Sequence, residues 1–104
     1  MQVVLKVAGL PESSVEASAA FFADHFDEAR ALLAKAETTA LAIVLPSAGP
    51  DHDDWRRTLA RDMARAQSPK RVNVVGGDAE AATALLDYLK DAPGVTGQYL
   101  AAHE

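Results

Sequence analysis

Cysteine is absent from the chain. That removes disulfides, thiolate nucleophiles and thiolate-bound metal together, and leaves the redox compartment open. No stretch gathers Lys or Arg beyond pairs such as Arg56-Arg57 and Lys70-Arg71, and the net charge is −5, so a phosphate backbone has nothing to hold it. Nucleic acid is therefore not expected as a partner. The longest apolar runs, such as Leu41 to Leu45, fall far below the ~20 residues of a membrane helix, and no basic region followed by an apolar one opens the chain. A membrane partner is not expected either, and the cytoplasm is the expected location. Internal repeats, low-complexity tracts and Gly/Ser linkers are missing, which argues against a second domain.

What is present is a chain of 104 residues, 49% hydrophobic and 24% charged, the size and composition of one compact domain over 1–104. Val3, Leu5 and Val7 alternate with Gln2, Val4 and Lys6 and predict a first strand, ended by Gly9-Leu10-Pro11. Ser13 with Glu16 fits a capping box. Val15, Ala19, Phe22, Phe26, Ala29 and Leu33 then recur at steps of three and four, predicting one long helix. Leu41 to Leu45 is apolar on both faces and closed by Pro46, as a central strand is. A second helix starts near Asp51 to Asp54, carries Trp55, Leu59 and Met63, and stops at Ser68-Pro69. Arg71 to Val75 reads as the third strand. Asp78 caps a third helix with Ala82, Leu85, Leu86 and Leu89 inward, before a last strand around Gln98 to Ala102.

The order β-α-β-α-β-α-β predicts an α/β, small Rossmann-like domain: a four-stranded, mainly parallel sheet with three helices. Two strand orders fit. If strands follow the chain, right-handed crossovers place all the helices on one face; if the first strand lies inside the second, the helices split between faces. The doubly apolar Leu41 to Leu45 favours the first arrangement.

Leu59-Ala60-Arg61-Asp62-Met63-Ala64 followed by Arg71-Val72-Asn73 resembles the "LAxELA…RVNxVxPG" segment of short-chain dehydrogenases/reductases. Ala84 to Leu89, then Asp91-Ala92, then Val95-Thr96-Gly97-Gln98-Tyr99-Leu100 resembles the family's closing "FLxSDxAxxVTGQxLxVDGG". Ser47-Ala48-Gly49 is similar to its "NNAG" turn, and Asp53 to Leu59 to the helix after it. The resemblance spans residues 41 to 102, and VTGQ is its most specific part; the first forty residues match as a generic strand and helix. It implies a nicotinamide-binding fold that assembles into dimers and tetramers through this later region.

The family's machinery is missing from the same resemblance. Its TGxxxGxG turn, which brings backbone amides against a pyrophosphate, is replaced by Ala8-Gly9-Leu10-Pro11-Glu12-Ser13. Its Tyr-x-x-x-Lys pair has no counterpart in Leu45 to His52, and the proline-glycine after RVNxV reads Gly76-Gly77-Asp78. No residue is carried over as catalytic and no cofactor is expected. Electrostatics point the same way: the expected helix starts already hold Glu12, Asp51, Asp53, Asp54 and Asp78, where a phosphate would need free amides. Gly76-Gly77 accordingly reads as a tight turn between strand and helix.

Asp51-His52-Asp53-Asp54 offers metal-ligand chemistry, but neighbours on a helix diverge and acids belong at a helix start for capping alone. His52 has no nucleophile to serve, and Ser47 lacks the flanking glycines of a nucleophile elbow. His25 and His103 are expected in solvent. Tyr88 and Lys90 lie two apart on a helix and face different ways. The weak candidates for a ligand crevice are Ser47, Gly49, His52, Gly76 and Gly77; those for an interface are Leu86, Leu89 and Tyr99, because edge strands need cover. The expected function is a non-catalytic interaction or regulatory module, self-associating or bound to another protein. A small-molecule or nucleotide binder using the crevice is the alternative, and half of a split enzyme is a third reading.

Overall fold

The computed structural model describes residues 1–102, so the expectation for His103 lies outside the described residues. Strand β1 (Gln2–Lys6) leads to helices α1 (Ser14–Asp24) and α2 (Phe26–Leu33), then to β2 (Ala40–Leu45). A 3-10 turn (Pro50–His52) runs into α3 (Asp53–Gln67), followed by β3 (Arg71–Gly76), α4 (Ala79–Lys90) and β4 (Tyr99–Ala101). All three strand pairings are parallel and the sheet order is β1-β2-β3-β4. Among the described residues no helix is long and apolar enough to cross a membrane.

The strands follow the chain as expected, but the helices divide between the two faces. Leu41, Ile43 and Leu45 of β2 and Val72 and Val74 of β3 point into a large core with Phe21, Ala29, Leu33, Leu59 and Met63, which covers one face with α1, α2 and α3. Val44 and Val75, one residue out of phase, meet Ala82 and Leu89 on the other face under α4. With neighbouring strands stepping in one direction, crossovers on opposite faces have opposite hands, so the chain does not keep a single crossover hand throughout. The reason is in β2 and β3 themselves: both are apolar on both faces, and helices confined to one side would leave Val44 and Val75 in water.

A second correction concerns the first helix. It is broken at His25, giving four helices where three were expected. The buried positions, Ala17, Phe21, Ala29 and Leu33, fall on steps of four. Each such step overshoots a full turn by about 40°, so one straight helix would swing this stripe by about 160° between Ala17 and Leu33. The break resets the phase. Val15 (77% exposed) and Phe22 (48% exposed), expected inside, therefore lie outside.

Candidate functional site

The loops beyond the carboxyl ends of the strands converge on the place where an open parallel sheet holds its ligands. In the first loop, Ser13 caps α1 by accepting from the Glu16 amide at 3.1 Å. Gly9 has no need to be glycine: an added Cβ would meet nothing within 4 Å, and its φ is not positive. In the third loop, Asp78 caps α4 by accepting from the Ala81 amide at 2.8 Å. At both helix starts one of the amides that a phosphate would use is thus taken by a side chain of the chain itself.

The second loop is held by His52, which is 4% exposed. Its Nδ1 accepts from the Trp55 indole N–H at 3.1 Å, and its Nε2 stands 2.9 Å from the Glu12 carbonyl oxygen. Indole only donates and a carbonyl only accepts, so the ring carries its hydrogen on Nε2. His52 ties the first loop to α3, with both nitrogens engaged. The neighbouring Asp51, at 67% side-chain exposure, looks outward. Among the described residues, no three His, Asp or Glu side chains converge as a metal site would require.

Beneath these loops lies a side chain the sequence reading passed over. Arg56 of α3 is 1% exposed. Its Nη2 donates to the Pro46 carbonyl at 2.9 Å and its Nη1 to the Tyr99 hydroxyl at 3.2 Å, while its guanidinium lies 5.5 Å from the Trp55 ring centroid and 5.7 Å from that of Tyr99. Its Nε is buried without a partner among the described residues. A signal for it existed: Arg56 stands on the same helical stripe as Leu59, Ala60 and Met63, where a charge is out of place.

The crevice candidates are only partly brought together. Ser47 and His52 line one cavity of about 260 Å³ with Leu10, Glu12, Pro46 and Arg56. Ser47 also lines a neighbouring cavity of about 410 Å³ with Lys6, Gly77 and Asp78. Gly49 and Gly76 line neither. Gly76 is buried because a Cβ there would stand 2.6 Å from the Tyr99 hydroxyl and 3.0 Å from Arg56 Nη1. Gly77 has φ +152°, and a Cβ would come 2.9 Å from that of Ala102. Of the interface candidates, Leu89 is wholly buried inside the chain and cannot reach a partner, Leu86 is half-buried against the smaller core, and Tyr99 is half-buried on Arg56. A larger apolar groove of about 600 Å³ runs between the α1-α2 pair and α3, lined by Phe22, Phe26, Trp55, Leu59 and Met63.

A mostly apolar parallel sheet with loops of this kind at its carboxyl ends defines a Rossmann-like α/β domain. The family model described as short chain dehydrogenase-like protein matches residues 5–102, and the chain belongs to that family. The match takes in the end of β1 and the α1-α2 pair, which the sequence motifs alone had left generic. Comparison with curated proteins and with solved structures gave no match.

Proposed function

We propose that the chain is a non-catalytic member of its family that acts as an interaction module and pairs with a second copy of itself. The observation that carries this reading is the state of the strand-end loops. Ser13 and Asp78 each occupy one amide at two helix starts, and Pro50, Asp51, Asp53 and Asp54 crowd the third. A dinucleotide would find its positions taken by carboxylates, each repelling a phosphate by about 1 kcal/mol in water at contact distance and by more near protein. The pairing surface is the outer side of α4, where Tyr88 stands 57% exposed, together with the open edge of β4. An uncovered strand edge is a template for a second chain, and closed two-fold pairs are the commonest way to hide one. Sedimentation equilibrium tests the reading: it expects a monomer-dimer equilibrium at micromolar concentration, weakened by Tyr88→Glu. A monomer at high micromolar concentration contradicts it.

A second reading, small-molecule binding at the strand ends, is favoured by one specific observation: the buried guanidinium of Arg56, with no carboxylate within ion-pair distance of it among the described residues.

A further inference from the structure

The arginines of this chain that form ion pairs do so at its surface. Arg30 pairs with Asp27 at 2.6 Å, Arg57 with Asp53 at 3.8 Å and Arg65 with Asp62 at 3.7 Å, each through an arginine side chain more than half exposed. Arg56 is the reverse. It is 1% exposed, and among the described residues no carboxylate lies within ion-pair distance of it. A guanidinium keeps its charge under any condition a cell meets. Burying such a charge is costly unless an opposite charge or a full set of acceptors compensates it. Here two neutral acceptors, Pro46 O and Tyr99 Oη, take two of the five N–H donors a guanidinium offers. Nε has none. The faces of Trp55 and Tyr99 supply partial compensation as cation–π partners.

Arg56 also lines the 260 Å³ cavity beyond the ends of β1 and β2, with Ser47 and His52. We infer that this cavity is a binding site for a small, singly charged oxyanion, a carboxylate or a phosphate monoester monoanion, with Arg56 as its counter-charge and Ser47 as a second donor. Nε, the guanidinium nitrogen with no partner among the described residues, is the donor left for an oxygen of such a group, and the guanidinium supplies the opposite charge. The size of the cavity, at the low end of ligand pockets, excludes a dinucleotide and suits a few heavy atoms. Glu12 lines the same cavity, and Asp51 Oδ2 lies 3.8 Å from His52 Nε2, so repulsion grows with each negative charge on the anion and a single charge meets the least. This inference stands apart from the pairing of two copies: a chain that stays monomeric can still bind the anion.

The test is a titration of the ¹⁵N-labelled chain with sodium acetate and, separately, sodium phosphate, against sodium chloride at matched ionic strength, following the Arg56 Nε–H resonance. Saturable movement of that resonance under either oxyanion, at least about tenfold tighter than any response to chloride, is expected. Arg56→Gln should abolish it. Because Arg56 is buried and its variant could fail to fold, Ser47→Ala serves as the second variant: Ser47 is exposed, and its loss should leave the amide spectrum intact while weakening binding about threefold or more. No saturable movement of the wild-type Nε–H with either oxyanion, or a response equal to that of chloride, overturns the inference.

Discussion

Asn73 holds Gln98 in place. The Asn73 side-chain oxygen accepts from the Gln98 amide at 3.0 Å while its Nδ2 donates to the Val95 carbonyl at 2.9 Å, so a single amide clamps both ends of the loop that enters β4. Next to it the Val72 amide donates to the Thr96 hydroxyl at 3.1 Å, and Gly97, at φ +72°, turns its own amide onto the Val72 carbonyl at 2.8 Å. The two most family-like pieces of the sequence, RVN and VTGQ, are thus halves of one structural lock.

Asn73→Ala should therefore cost stability and leave surface properties alone. It leaves the part-buried Val95 carbonyl and Gln98 amide without their partner, at a residue that is itself buried, and should cost about 1–3 kcal/mol in all. Urea denaturation should show a lower midpoint with an unchanged slope. Asn73→Asp, which keeps the acceptor for Gln98 but loses the donor to Val95, should behave almost as badly.

The glycines give a graded set. Gly76→Ala forces a Cβ into the Tyr99 hydroxyl and Arg56, and Gly77→Ala adds a Cβ at φ +152° against Ala102. Each should destabilise by about 1–3 kcal/mol. Gly9→Ala, at the position where the family's phosphate-binding turn would lie, meets open space and should stay within about 0.5 kcal/mol of the parent. Thermal unfolding of the three variants checks the order.

His52 should be found with its hydrogen on Nε2. Long-range ¹H-¹⁵N correlation spectra of the imidazole are expected to show Nδ1 as the unprotonated nitrogen. Trp55→Phe, which removes the indole donor to Nδ1, should cost about 1 kcal/mol and broaden that pattern.

Much of this architecture was legible in the residues. The alternation in β1, the doubly apolar β2 and the helix caps at Ser13 and Asp78 reported their elements directly, because local pattern and tertiary burial agree there. The break at His25 was not: spacing of three and four fits both a straight and a broken helix, and only the phase of the core decides between them. The placement of α4 was hidden because the right-handed crossover rule outweighed a signal already present in Val44 and Val75, whose second apolar face needed a helix of its own. Arg56 escaped because, at the chain level, Arg56-Arg57 is one more solvated basic pair. The helix turns one of them into the interior and the other to Asp53.

The strand-end loops carry the central claim, that acids and internal caps have replaced the groups that grip a nicotinamide dinucleotide. Isothermal titration of the purified chain with NADPH, repeated with NADH, tests it most directly. The expected result is no saturable heat for either nucleotide; uptake of one equivalent with micromolar affinity would contradict it.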